Sequence, residues 1–323
     1  MSDFIESTKR NFSSKNEENI LKKEAKLNEN ENEIIYNEND TNSSLERGAP
    51  SSYVGQRNNL GEKEGFGIQR WEDGTKFTGH FVNNKASGWG IFDHADGDVY
   101  KGEFKNDRTN GYGEYTHENG VVYYGYWNED VQYGIGFEKW ADNSSYKGEY
   151  INGKKEGIGI YVWQDETTYK GEWKENNLHG FGIYTFVDGR VYEGQWVNNQ
   201  MDGYGEFTLL EGKKYCGYFR RDKKEGFGVY FWPGKKIFVG FWKEGKQNGV
   251  GKYIKGKTIK YGYWNCGKKE KWYQNEEEFI SNIEPDNESY LNLLLKSPEE
   301  IINIFGYDYE YSYRSFGNDE DFR

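Results

Sequence analysis

Four histidines and two cysteines are the residues of this 323-residue chain best equipped for chemistry, and their placement gives them little to work with. His80, His94, His117 and His179 read as isolated loop residues at different repeat positions, far from Cys216 and Cys266. No nucleophile-and-base arrangement emerges, and no C-x-x-C offers zinc a site. Numerous Gly-x-Gly pairs lack the third glycine of a dinucleotide loop and the Gly-Lys-Ser/Thr of a phosphate loop. Carboxylates are plentiful, at 54 Asp plus Glu, but only an enclosed pocket would move their pKa values into a working range. The chain reads as a non-enzyme, with no catalytic residue, cofactor or metal.

What remains is recognition, and the composition suits it. There are 28 Tyr, 20 Phe, 11 Trp and 42 Gly, against 4 Pro and a hydrophobic share of only 34%. Rings and glycines on a polar background fit a thin sheet better than a thick aliphatic core. No apolar run approaches the roughly 18 residues of a membrane span, and no charged-then-apolar leader opens the chain. Two cysteines cannot build a disulfide framework, so a reducing, cytoplasmic setting is expected.

The rings are periodic. An aromatic-x-Gly frame begins at Tyr53, Phe77, Tyr100, Tyr123, Tyr146, Tyr169, Tyr192, Tyr215 and Phe238, and from Phe77 onward each step is 23 residues. Counting from Tyr169 as position 0, Gly171 stands at +2, Trp173 at +4, Gly180 at +11, Gly182 at +13, Tyr184 at +15 and Gly189 at +20. Nine complete copies result, with a fragment from Lys260 that keeps Gly262 and Trp264. Positions 0, +2 and +4 share one face of a strand, as do +11, +13 and +15, because side chains alternate with period two. The polar stretch Lys174–His179 reads as a hairpin loop, and Asp-Gly or Asn-Gly pairs such as Asp188-Gly189 mark the second turn. Asn143 fills the glycine position in one copy. Each copy is therefore a β-hairpin. The predicted fold is all-β, an elongated single-layer antiparallel sheet of stacked hairpins, roughly 90 Å long at about 10 Å per copy. Missing side chains at the glycines should leave seats for rings of neighbouring copies.

The run Tyr169-Lys-Gly-Glu-Trp-Lys-Glu-Asn-Asn-Leu-His-Gly-Phe-Gly-Ile-Tyr resembles the MORN repeat (membrane occupation and recognition nexus), and similar runs cover about residues 53–267. That resemblance implies an elongated all-β array serving as a cytoskeletal or ciliary scaffold, a membrane-junction tether, or an accessory region of a phosphoinositide kinase. The opening copy, Gly55-Gln-Arg-Asn-Asn-Leu-Gly61-Glu-Lys-Glu-Gly65, is also similar to the start of radial-spoke-head MORN proteins. Departures are Lys260 at an aromatic position, Arg57 at a Trp/Phe position, and Glu138 at a Tyr/Phe position, where a bulge at Phe137 is one explanation.

Flanking segments differ in kind. Residues 1–50, rich in Asn, Glu, Lys and Ser, read as disordered, with Ile20, Leu21 and Leu27 a weak helical pattern that could dock. The array spans 53–271. In the acidic tail, 272–323, Ser297-Pro298-Glu299-Glu300 opens a short helix over 298–305 and alternating tyrosines suggest a strand over 307–313 that could cap the array edge. Removing that cap should promote self-association through the exposed edge.

Two surfaces are candidates for binding. Trp127, Trp173, Trp196, Trp242 and Trp264 would line an aromatic ridge for a helical or elongated protein partner, although a buried structural role is the plainer expectation for them. Residues 213–271 hold 17 Lys/Arg against 4 Asp/Glu, whereas 272–323 hold 3 against 13. Lys213, Lys214, Arg220, Arg221, Lys223, Lys224, Lys235, Lys236, Lys252, Lys255, Lys257 and Lys260 could therefore meet an anionic phospholipid surface, an acidic partner or the chain's own tail. Nucleic acid is not expected, since the net charge is −12 and the rings should be occupied within the array. The expected location is cytoplasmic, on a cytoskeletal or ciliary structure or at a membrane periphery.

Overall fold

A computed structural model describes residues 18–23, 51–284 and 289–307. The fold is an open antiparallel sheet of 20 strands, each paired with its neighbour in sequence. Two compact units divide it at residue 155. The first holds nine strands, from Ser52–Arg57 to Ser145–Ile151. Residues 18–23 add a helix (α1) to that unit. In the second are eleven strands, from Lys154–Val162 to Lys268–Trp272, followed by α2 (Glu276–Ser281), α3 (Leu291–Leu295) and α4 (Pro298–Ile304).

Each copy is a hairpin, but a tighter one than the sequence suggested. Strand Thr168–Lys174 runs directly into a turn of only Glu175 and Asn176, at φ 47° and 68°, and strand Asn177–Thr185 follows. Residues 177–179 are thus strand, not loop. Paired positive φ values define the turn that matches strand twist, and Asn, Asp or Gly adopts them most cheaply. The turn at Asn198-Asn199 shows how copies are tied together. Asn199 donates its backbone N–H to Leu178 O (3.0 Å), and its side-chain oxygen accepts from Leu178 N (2.7 Å). Asn84, Asp107, Asp130 and Asp222 repeat both bonds on the preceding copy, so the turns form a stitched row.

The two glycines of each Gly-x-Gly do different work. Gly180, at φ 61°, sits in a bulge where residues 179–181 oppose Glu172 alone. Glu172 turns its carboxylate back to accept from Phe181 N (2.8 Å), in space that a Cβ on Gly180 would fill. Gly182 is the ring seat: a Cβ there would stand 2.4 Å from Tyr169. Tyr169 lies across Gly171 and Gly182 and donates its hydroxyl to Glu172 O (2.9 Å). Tyr100, Tyr123, Tyr146, Tyr192 and Tyr215 make the same bond to the residue three ahead. The seat is therefore filled by the ring of its own hairpin, not by a neighbour's as the sequence suggested. The ring leans along its own strand onto the glycine two residues on and the glycine paired with it.

Neighbouring copies meet through position +4. Trp196 packs edge-on against Tyr169 of the previous copy (5.7 Å, 87°) and donates Nε1 to Gly182 O (3.3 Å). Trp242 repeats this with Tyr215 and Gly228. Glu138 is accommodated by polar partners: it accepts from Tyr150 Oη (2.9 Å) and pairs with Lys155 (3.4 Å). Pairing is regular at Phe137, so no bulge forms there.

Candidate functional site

Alternation gives the sheet a ring face, carrying positions 0, +2 and +4, and an outer face. On the ring face Trp173, Trp196, Trp242 and Trp264 are buried, exposing 5–7% of their surface, while Trp127 is half-buried. Trp173, Trp196, Trp242 and Trp264 of the second unit share one row, with most of their area spent on packing against position-0 rings. Beside them runs a second row that the sequence reading missed. Phe92, His94, Tyr115 and His117 interleave at centroid separations of 4.6–5.8 Å, as do Tyr161, Trp163, Tyr184 and Phe186 at 4.5–5.3 Å. His94 and His117 both occupy position +17, contrary to the reading that the histidines share no position. The signal was available, because +17 also holds Trp140, Trp163, Phe186 and Trp232.

His117 Nδ1 lies 2.8 Å from Asp98 Oδ2, which also accepts from Tyr115 Oη (2.8 Å). Hydrogen bonds from Glu118 N and then Tyr115 hold the Asp98 carboxyl below its ordinary value. No metal-binding group of three or more His, Cys, Asp or Glu occurs among the described residues. Cys216 is buried, with its thiol pushed up to about 12 chiefly by burial, and Cys266 is exposed in a turn.

The basic residues are dispersed. Arg220, Arg221 and Lys223 lie at the rim of the two-residue turns, with Lys223 bridged to Glu244. Lys213, Lys214, Lys235, Lys236, Lys255, Lys257 and Lys260 lie towards the opposite rim, where Lys213 pairs with Glu211 (2.6 Å). Three are drawn inward. Lys224 sits on the ring face among Tyr215, Tyr230 and Trp242, 4.7–5.2 Å from their centroids, and burial lowers its pKa to about 8. Lys252 donates to Lys296 O at the end of α3 (2.6 Å), and Lys214 donates to Phe305 O at the end of α4 (3.0 Å). Both lysines meet helix C-terminal carbonyls, where cations are favoured.

Those contacts belong to the outer face, which changes character along the second unit. Over the last copies it is an apolar layer of Cys216, Phe227, Val229, Phe231, Ile237, Val239, Phe241, Val250 and Ile254, covered by Phe279, Leu294 and Ile301 of the three helices. Tyr290 stacks on Phe227 (4.6 Å, 10°), and Tyr307 on Phe231 (4.5 Å, 11°). Ser297 caps α4 with a full capping box. The tail does lie on the basic end of the array, but mainly through apolar packing. Tyr307 is the last described residue, so the strand suggested over 307–313 lies outside the described residues beyond it. In the first unit, Ile20 of α1 packs on Phe66 and Ile91 of the outer face. The rest of the segment read as disordered, residues 1–17 and 24–50, lies outside the described residues, as does Leu27.

Elsewhere on the second unit the outer face is more exposed, with Tyr218 hydrogen-bonded to Tyr290 at the edge of the cover. Ile158, Phe181, Tyr204 and Tyr218 of the second unit expose 60%, 50%, 40% and 43% of their surface. Their strand positions match those that the tail covers farther along: Phe181 and Tyr204 correspond to Phe227, and Tyr218 to Phe241. No helix among the described residues is long and apolar enough to cross a membrane.

No curated protein matches the chain in sequence. Solved structures similar to it include the TCP10 domain of Danio rerio CPAP in complex with a peptide of Danio rerio STIL, at 12% identity and a TM-score of 0.40, covering 69% of this chain and all of that one. The TCP domain of Drosophila melanogaster SAS-4 (dCPAP), in complex with a proline rich motif of Ana2 (dSTIL), matches at 11% identity and a TM-score of 0.32, covering 55% of this chain and 97% of that one. Scores this low carry no inference about role. A family model decides more. The MORN repeat model matches residues 59–76, 77–99, 100–122, 146–168, 169–189, 192–209, 215–235 and 238–257. It passes over 123–145, the copy with Glu138 and Asn143, although that copy forms the same hairpin. With eight matched copies, the glycine-seated rings and the hairpin fold in agreement, the chain belongs to the MORN-repeat family.

Proposed function

We propose that this protein is a non-enzymatic scaffold whose outer sheet face receives an elongated, helical segment of a partner protein in a cytoskeletal, ciliary or membrane-junction assembly. The observation that carries this reading is the exposed outer-face row of Phe181 and Tyr204. Its positions are those on which the chain's own short helices rest farther along. Contiguous exposed apolar surface of this kind is uncommon on a protein without a partner. A helix with apolar anchors at helical spacing is the occupant the covered region exemplifies. Family membership supports the scaffold role.

Proximity labelling in cells tests the reading with wild type and the double variant Phe181→Glu/Tyr204→Glu. The proposal expects a defined set of protein neighbours that the variant loses while keeping its β-sheet circular dichroism. An unchanged neighbour set would overturn it.

A further inference from the structure

The turn that closes each copy, beside the second ring row, differs between the two units. In the second unit, Phe186 donates its backbone N–H to Arg190 O (2.9 Å), and Asp188 Oδ1 accepts from Arg190 N (3.1 Å). The Arg190 side chain folds back over this turn. Its guanidinium lies over Phe186 (4.4 Å), reaches Phe207 of the next copy (5.9 Å) and donates to the Asp188 carboxylate (2.8 Å). Lys213 and Glu211 repeat the ion pair one copy on (2.6 Å).

The first unit builds the same turn twice without the cation. Trp71 N donates to Thr75 O (2.9 Å), and Asp73 accepts from Thr75 N (2.9 Å). Next, His94 N donates to Asp98 O (2.9 Å), and Asp96 accepts from Asp98 N (3.2 Å). Thr75 and Asp98 thus stand where Arg190 stands. The ring pairs keep their separation: Trp71 to Phe92 is 5.7 Å and His94 to Tyr115 is 5.8 Å, against 5.8 Å for Phe186 to Phe207. These rings are open to solvent, with Trp71 40% exposed and Phe92, His94 and Tyr115 half-buried. Turns 71–75, 94–98 and 117–121 hold Glu72, Asp73, Asp96, Asp98 and Glu118 and no Lys or Arg. Asp98 is engaged by Tyr115 Oη, His117 and Glu118 N. Glu72, Asp73, Asp96 and Glu118 are exposed and have no ion-pair partner among the described residues.

We propose that this stretch of the first unit's ring face receives two arginine side chains from an extended segment of a partner protein. One would sit on Trp71 and Phe92 beside Asp73, the other on His94 and Tyr115 beside Asp96. Charge complementarity selects a basic ligand, and Arg190 shows the better cation. A planar guanidinium stacks on a ring while forking onto a carboxylate, which an ammonium does not do. Spacing selects the ligand's conformation. The seats are one copy apart, roughly 9.4–9.8 Å from two strand spacings. A polyproline II segment returns to the same side every third residue, about 9.3 Å along its axis. The third residue of a β-strand points to the opposite face, and helix positions seven apart span about 10.5 Å. An Arg-x-x-Arg run in polyproline II conformation is therefore the fitting ligand. The site is on the ring face, and it stands or falls separately from the outer-face reading.

The test is fluorescence anisotropy of a labelled, proline-based Arg-x-x-Arg peptide titrated with the full chain. Beside it run a peptide of the same composition with its arginines adjacent, and one with lysine at both positions. Thr75→Arg copies Arg190 and fills the first seat from within. Asp73→Asn copies Asn119, whose side chain accepts from Val121 N (3.1 Å) in the equivalent turn. Each variant is checked for native circular dichroism. The expected result is saturable binding of the Arg-x-x-Arg peptide, weakened roughly threefold to tenfold by either variant and by the lysine replacement. No saturable binding, or equal binding by folded Thr75→Arg, would overturn the site. Equal binding of the peptide with adjacent arginines would reduce the effect to diffuse charge attraction and overturn it as well.

Discussion

Glycine and tyrosine at fixed separation are the smallest unit of this fold. A ring at position 0 needs bare Cα atoms at +2 and +13, and the bulge opposite residue +3 leaves a carbonyl for its hydroxyl. Trp173 joins the same packing at +4 and donates to Gly159 O (3.3 Å). Trp173→Ala removes that ring from a site only 6% exposed and should cost about 3–5 kcal/mol in chemical denaturation. A loss near zero would show the ring is not core. Cys266 sits at φ 47° in a turn whose counterparts are mostly Asn or Glu. Cys266→Asn should stabilise by a few tenths of a kcal/mol to about 1, and a maleimide should label Cys266 in the folded protein while sparing Cys216.

At the scale of the hairpin, the turns and the side chain at position +9 set the differences between copies. Lys224 is the costly one, since burial without an anion favours its neutral form. Its folded pKa, about 8, lies below the ordinary 10.5, so the unfolded chain binds the extra proton between those values and stability rises with pH there. Lys224→Met, copying Met201, should therefore stabilise by about 1–3 kcal/mol at pH 7. The gain should shrink as pH climbs from about 8 towards 10.5, as melting curves across that range would show. The tail helices form a second kind of element. Deleting residues 273–323 uncovers Phe227, Val229, Phe231, Val239 and Val250 together, and light scattering should report self-association. A stable, monodisperse deletion would contradict their role as a cover.

Across the whole chain, what the sequence made legible was what repeats: the hairpin, the ring positions and the copy boundaries. Spacing alone exposes these, because every copy restates them. The two-residue turns were hidden since Glu175-Asn176 is followed by polar residues that read as loop, though strand pairing consumes them. The ring–glycine partnership was visible but assigned to the wrong hairpin, as periodicity cannot distinguish a seat filled from within from one filled by a neighbour. The outer face was obscured for a different reason. Its residues alternate between Lys170-type and Phe181-type positions, and only the helices resting on Phe227 and Phe231 reveal which of them act as a docking row. Coupling is what makes the copies one object, because a hairpin alone is marginal and stability must come from contacts between neighbours.

Hydrogen-exchange mass spectrometry of Gly205→Val tests that coupling most directly. A side chain at Gly205 meets Tyr192 at 2.5 Å and must unseat it, which in turn disturbs the edge contact of Tyr192 with Phe219 (5.2 Å). Protection should fall in residues 192–214 and in both flanking copies, 169–191 and 215–237, with little change in residues 53–122. Loss confined to 192–214, or none at all, would contradict the account that seated rings bind each copy to the next.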